Sequence, residues 1–175
     1  MASRDLVASA RGGDATALAL LLEPLWEPAY RLAFSMLRER EAAEDAVQEA
    51  ALKALQNVRK LRSDTESLRP WFFTIVANQC RSTRRSRWWG VLRLAELPYS
   101  KSSENTLSEE RVDLANAMRQ LPVEQRLALA LRYYLDLPME EVAEVLGISL
   151  AAAKSRVRRA LMAMAPALNA EGEVG

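Results

Sequence analysis

The chain has 175 residues, half of them hydrophobic, and its 24 basic and 23 acidic residues leave a formal net charge of only +1. The absence of histidine and the presence of a single cysteine exclude an intramolecular disulfide, a histidine-containing zinc site and a Ser-His-Asp or Cys-His catalytic site. No run of about 18 apolar residues and no signal-peptide core occurs, so we expect a cytoplasmic protein without membrane insertion, cofactor or metal.

The composition favours helices along the whole chain. Only six residues are glycine, and Ala, Leu, Arg and Glu, which dominate, mostly have high helix propensity. No segment alternates β-branched or aromatic residues with polar ones as a half-buried strand would. The sequence therefore predicts an all-α fold of two helical domains, with the first at residues 1–87, a linker at 88–105, a helix-turn-helix domain at 106–166 and a flexible tail at 167–175.

Four helices are predicted in the first domain, at about residues 3–11, 15–37, 41–58 and 68–87. A Gly-Gly pair can end the first helix, and Asp14 can cap the second. Pro24 and Pro28 are expected to kink or divide that second helix, because proline lacks the backbone N–H that a helix interior requires.

The third predicted helix, AAEDAVQEAALKAL, separates into an apolar and a polar side. At 100° per residue, its buried side holds Ala43, Val47, Ala50, Ala51, Ala54 and Val58. Asp45, Gln48, Glu49 and Gln56 form a polar stripe with Leu52 inside it. An apolar residue ringed by acid and amide groups can anchor a protein interface. This helix taken alone favours the simpler interpretation, a solvated face with one exposed leucine.

The fourth predicted helix, RPWFFTIVANQCRSTRR, places aromatic rings beside arginines. Thr74, Asn78, Arg81 and Arg85 share one stripe; Trp71 lies at its margin, and Arg84 lies beyond it. Stacking surfaces next to a cationic track suit single-stranded DNA. The alternative is that Trp71 belongs to the core and that the arginines are simply exposed.

The second domain contains a predicted helix-turn-helix. Residues 139–146 form an amphipathic helix with glutamates on its polar side. Gly147 can take the left-handed conformation that ends a helix, and Ser149 can cap the next one.

The helix after this turn has an apolar back and a cationic front. Its back holds Leu150, Ala153, Val157, Ala160, Leu161 and Met164. Its front holds Lys154, Ser155, Arg158 and Arg159, with Arg156 at the boundary. Such a helix fits the DNA major groove, where Arg reads guanine and Lys contacts phosphate. The segment KSRVRR alone would suit a solvated basic face equally well, but the sidedness and the turn together favour DNA binding.

Taken together, these motifs carry a resemblance to a known family. DAVQEAALKAL, then RPWFFTIVANQCRSTRR, and after a linker LPVEQRLALALRYYLDLPMEEVAEVLGISLAAAKSRVRRAL resemble a bacterial sigma-70 family RNA polymerase sigma factor of the extracytoplasmic-function (ECF, group IV) type. The resemblance covers about residues 18–161, with two motif blocks in the family's order.

The resemblance implies three functional surfaces and several partners. A region 2-like domain would bind the clamp coiled coil of the polymerase β′ subunit through Asp45, Gln48, Glu49 and Leu52. The same domain would melt and read the promoter −10 element through Asn78, Trp71, Arg81, Arg84, Arg85 and a loop with Arg62, Ser63 and Asp64. A region 4-like domain would read the −35 duplex through Lys154, Ser155, Arg156, Arg158 and Arg159 and contact the β flap. An anti-sigma factor is a family expectation, and no obligate homo-oligomer is expected.

Two other classes of protein remain open at this stage. A helix-turn-helix regulator with a helical sensor domain would bind duplex DNA by itself, usually as a symmetric dimer. An enzyme is disfavoured, because the chain lacks histidine, a cysteine cluster and a glycine-rich phosphate loop.

Overall fold

Every regular element in the described part of the chain is helical, as the sequence predicts. The structure is a computed structural model that describes residues 2–60, 68–93 and 116–170. The chain divides into two compact units, Met1–Ala95 and Glu96–Gly175.

The first unit contains α1 (Ala2–Arg11), α2 (Ala15–Leu22), α3 (Trp26–Leu37), α4 (Arg40–Asn57) and α5 (Leu68–Arg93), with 3₁₀ turns at Glu23–Leu25 and Val58–Lys60. Asp14 caps the N-terminus of α2, as predicted. The carboxylate of Asp14 accepts hydrogen bonds from the backbone N–H groups of Thr16 and Ala17, at 2.9 and 3.2 Å. These bonds and one from Ser9 lower the pKa of Asp14, because they favour its charged form.

The predicted long second helix is divided at its prolines. Pro24 lies within the 3₁₀ turn that separates α2 from α3, and Pro28 lies in the first turn of α3, where its missing N–H costs little. Arg38 ends α3 in the left-handed conformation, with φ of 59°.

The core of the first unit lies where α3, α4 and α5 pack on one another. Its largest fully buried side chains include Leu32, Met36, Val47, Phe72, Phe73 and Val76. The α4 residues Ala43, Ala50 and Ala54 have no exposed surface, and their small side chains let the neighbouring helices approach closely. This packing turns the opposite face of α4 to solvent.

Helix α5 continues to Arg93, beyond residue 87 where the sequence places its end. Gly90 lies inside the helix, which tolerates an interior glycine at a cost of about 1 kcal/mol. The start of the predicted linker is therefore helical up to Arg93, and residues 94–105 of the linker lie outside the described residues.

The second unit contains a helical segment at residues 116–120, α6 (Val123–Leu129), a π-helical turn (Ala130–Tyr134), α7 (Met139–Leu146) and α8 (Leu150–Ala170). Helix α8 packs on α6 and α7. Leu127, Leu131, Leu137 and Val142 fill the core between them and are fully buried. Helix α8 contains Pro166 and runs four residues into the predicted tail; residues 171–175 lie outside the described part.

Candidate protein and nucleic-acid interfaces

The polar stripe of α4 faces solvent along its length. Asp45, Gln48 and Glu49 are exposed, and 57% of Leu52 is exposed. The predicted buried side is buried except for Ala51, which is half-buried. Leu52 is thus an exposed apolar side chain on a stable helix, surrounded by acid and amide groups. Such a residue is a suitable anchor for a protein partner.

An apolar groove of about 520 Å³ lies beside this stripe. Its walls come from α2, the following 3₁₀ turn, the start of α3 and α4, and consist of Ala15, Leu18, Ala19, Leu22, Glu23, Trp26, Ala51, Leu52 and Leu55. Trp26 and Leu55 are 43% and 39% exposed, so they extend the apolar surface around Leu52. The sequence predicted only Leu52, because the groove forms from residues that are distant along the chain. Leu55, one helical turn after Leu52, was the available signal.

A second cleft, of about 360 Å³, lies between α3 and α4. It is lined by Trp26, Glu27, Tyr30, Arg40, Glu44, Val47 and Gln48. Two ion pairs hold its charged groups, Arg31 with Glu27 at 2.6 Å and Arg40 with Glu44 at 2.9 Å. Gln48 lines this cleft and Leu52 lines the apolar groove, so the polar stripe of α4 lies between the cleft and the groove.

The DNA-facing stripe predicted on α5 is present at the surface. Asn78, Arg84 and Arg85 are exposed, while Arg81 and Trp71 are half-buried. Arg81 Nη1 donates a hydrogen bond of 3.0 Å to Asn78 Oδ1. Because arginine has no acceptor, the Asn78 amide must turn its oxygen towards Arg81, and its NH₂ group points elsewhere.

The inner side of α5 packs against the core and against α4. Lys53 on α4 donates a hydrogen bond to the side-chain oxygen of Gln79 on α5, which ties the two helices together. Burial raises the pKa of the Cys80 thiol to about 12, and nearby Arg81 opposes this only in part. Cys80 is therefore a neutral packing residue. Arg62, Ser63 and Asp64, predicted to assist Asn78, lie outside the described residues.

The turn between α7 and α8 has the predicted helix-turn-helix geometry. Gly147 adopts φ of 68° and ψ of 36°, and the Ile148 N–H donates back to the Ala143 carbonyl at 3.1 Å. Ser149 Oγ accepts a hydrogen bond of 3.2 Å from the Ala152 N–H, which caps α8. These contacts fix where α8 begins and which of its faces is exposed.

The front of α8 is cationic and its back is buried. Lys154, Ser155, Arg158 and Arg159 are exposed, whereas Ala153, Val157, Ala160 and Met164 are buried. Leu150 and Leu161, also predicted on the back, are half-buried. Arg156 differs from its basic neighbours: it is half-buried, and its Nη1 atom lies 3.4 Å from Oε2 of Glu124 on α6.

The described residues contain no cluster of three or more histidine, cysteine, aspartate or glutamate residues that could hold a metal ion. Among the helices that the structure describes, none is long and apolar enough to cross a membrane.

Two family models match the chain. The model for sigma-70 region 2 matches residues 23–90, and the model for sigma-70 region 4 matches residues 111–164. Helix α4 and most of α5 lie within the first match, and most of α8 lies within the second.

Named relatives agree with this assignment. The RNA polymerase sigma factor SigV of Bacillus subtilis is 33% identical over 137 residues, which cover 77% of this chain and 81% of SigV. The ECF RNA polymerase sigma factor SigL of Mycobacterium tuberculosis is 29% identical over 161 residues, which cover 87% of this chain and 91% of SigL.

Two solved structures share the fold. CnrH, solved in complex with the cytosolic domain of CnrY, has a TM-score of 0.71 at 26% identity and covers 97% of this chain and 99% of CnrH. RpoE of Bartonella quintana, solved with the anti-sigma factor NepR, has a TM-score of 0.72 at 25% identity and covers 85% and 94% of the two chains.

The chain therefore belongs to the sigma-70 family of RNA polymerase sigma factors and, within it, to the ECF type. Its function is that of a promoter-specific sigma factor, and a stand-alone helix-turn-helix regulator is not favoured.

Proposed function

We propose that the chain divides its function among three surfaces. Residues 1–87 bind the polymerase core through α4 and read the −10 element through α5, residues 106–166 read the −35 element through α8, and residues 88–105 link the two domains. The observation that carries this proposal is the separation of charge: acid, amide and apolar groups are exposed on α4, whereas basic groups are exposed on α5 and α8.

The core-binding surface comprises Asp45, Gln48, Glu49 and Leu52 with the adjoining apolar groove. Full burial of a leucine side chain contributes about 1.5–3 kcal/mol, and Leu52 has more than half of its surface still to bury. The two carboxylates add orientation and attraction for a basic partner surface. The clamp coiled coil of β′ is the proposed occupant, with the β flap as a further contact of the second domain.

The −10 surface comprises Asn78, Trp71, Arg81, Arg84 and Arg85, together with Arg62, Ser63 and Asp64. Opening a duplex costs about 1.4 kcal/mol of stacking per base step, and stacking an extruded base on an aromatic ring can return about 1–3 kcal/mol. Asn78 would present amide N–H donors to that base, since its oxygen accepts from Arg81.

The −35 surface comprises Lys154, Ser155, Arg158 and Arg159 on the exposed front of α8. The half-exposed Ala152 and the exposed Ala151 lie near the start of this front, and their small size permits close approach to the groove. Arginine side chains can then reach guanine edges while lysine contacts phosphate.

The chain's cellular setting follows from this role. Sigma factors are transcription initiation factors, so we infer that the chain has no catalytic activity and acts in the cytoplasm. We also infer control by an anti-sigma factor, because the B. quintana protein of similar fold was solved with one.

Reconstituted transcription tests the proposed function. The full chain would be mixed with core RNA polymerase and a promoter library, and start sites would be mapped. We expect start-site-specific transcripts only when both proteins are present. Failure to bind core, together with tight binding of the free chain to palindromic duplex, would contradict the proposal and favour a stand-alone regulator.

A further inference from the structure

Arg156 stands apart from the other basic residues of α8. Its side chain is 25% exposed, and Nη1 lies 3.4 Å from Oε2 of Glu124, whose side chain is 37% exposed. Glu124 lies in the first turn of α6, 32 residues earlier in the chain. The guanidinium therefore bridges two helices.

The position of Arg156 on α8 explains this contact. It follows the buried Ala153 by three residues and precedes the buried Ala160 by four. Residues at these spacings are neighbours on a helix surface. Arg156 therefore lies at the edge of the packed face, where α8 meets α6.

From this geometry we propose that Glu124 and Arg156 form a positioning pair for promoter reading, in which Arg156 does not contact DNA. The inference rests on the proposed −35 function of α8. The pair fixes the rotation of α8 against α6 and so sets the direction in which Arg158 and Arg159 project. It also neutralises a cation at the rim of the DNA-facing surface.

The pair matters more for selectivity than for stability. A partly exposed ion pair is screened by solvent and stabilises a fold little. Bidentate reading of a base edge, however, tolerates only small displacements of the side chain. An unpaired Arg156 would instead add a phosphate contact, which strengthens binding to every sequence alike.

Variants of the two partners should both lose promoter preference but should differ in the salt dependence of DNA binding. Glu124→Gln should release Arg156, lower the preference for the −35 element about threefold to tenfold and steepen the salt dependence of DNA binding by about 0.9 in log–log slope. Arg156→Gln should lower the same preference without making the salt slope shallower. The exchange Glu124→Arg with Arg156→Glu should restore much of the preference.

The experiment uses holoenzyme formed from the full chain. Its probes are a −35 duplex selected by the wild-type holoenzyme from a randomised pool and a scrambled duplex, each titrated over a range of KCl concentrations. Glu144→Gln is the matched control, because it removes the same charge from an exposed side chain of α7. Circular dichroism and thermal melting check that each variant is folded.

Several outcomes would overturn the inference. It fails if Glu124→Gln behaves like Glu144→Gln, if the exchanged pair restores nothing, or if Arg156→Gln makes the salt slope shallower by about 0.9, as loss of a direct phosphate contact would. If the wild-type holoenzyme selects no −35 sequence at all, the proposed −35 function itself has failed.

Discussion

Helices α4 and α8 each bury one face in their own unit, but their exposed faces differ in chemistry. The exposed face of α4 carries two carboxylates, an amide and Leu52, and it borders an apolar groove. The exposed face of α8 carries Lys154, Ser155, Arg158 and Arg159, and the exposed Met162 lies one helical turn after Arg158. The first combination suits a protein partner, and the second suits a polyanion.

A net charge of only +1 is compatible with this cationic surface, because basic and acidic residues lie on different surfaces. The 23 acidic residues of the chain, those of α4 among them, offset all but one of its 24 basic residues, so the free chain has little overall attraction for DNA. Core polymerase would supply the missing binding energy.

The largest effect is expected from Leu52→Asp on α4. It places a charge at the apolar groove that the partner would have to desolvate, and we expect about a 100-fold loss of core affinity, as for a strong interface anchor. Titration of labelled variant with core polymerase measures this loss. Leu20→Asp is the control, because Leu20 is 51% exposed and does not line the groove. Equal losses in both variants would refute an anchor at Leu52.

A smaller effect is expected from Arg158→Ala and from Arg159→Ala on α8. Each should lower −35 discrimination by about tenfold if it removes a base contact, or flatten the salt slope by about 0.9 if it removes a phosphate contact. Core affinity should not change. Arg11→Ala, an exposed arginine of α1, serves as the control in both assays. Loss of core affinity in the α8 variants would break the division between the surfaces.

Substitutions at Gly147, in the turn before α8, should change stability through the backbone conformation that they favour. Gly147 has φ of 68°, and there is open space where the Cβ of an alanine would lie. Alanine is therefore disfavoured there by the backbone conformation and not by a steric clash. We expect Gly147→Ala to cost about 1–2 kcal/mol and Gly147→Asn less, since asparagine tolerates the left-handed region better. Hydrogen exchange of peptides from residues 139–161 measures this locally. Equal protection in both variants would argue against the observed turn.

The smallest functional effect is expected at Cys80. Its folded-state pKa of about 12 lies above the ordinary value of 9.0, so the unfolded chain loses its thiol proton first as pH rises. Ionisation of this thiol in the unfolded chain therefore lowers the free energy of unfolding as the pH rises from about 9 to about 12. Cys80→Ala should make this fall smaller and should leave core and DNA binding unchanged. Urea unfolding at several pH values measures the difference. A change in either binding affinity would show that Cys80 has a functional role.

Local periodicity was sufficient to predict the helix faces. The buried and exposed sides of α4 and α8, and the turn at Gly147 and Ser149, followed from residues within one or two helical turns. The apolar groove and the Glu124–Arg156 contact could not be predicted in this way, because each joins residues that are far apart in sequence. The end of α5 was missed because Gly90 favours a break only weakly and the helix continues through it.

One double comparison tests the central claim most directly. Core affinity and −35 discrimination would both be measured for Leu52→Asp and for the double variant Arg158→Ala with Arg159→Ala. We expect Leu52→Asp to lose core binding while any holoenzyme formed at high concentration keeps its −35 preference, and the double variant to show the reverse. If either variant loses both properties while remaining folded, α4 and α8 do not perform separate functions and the account is wrong.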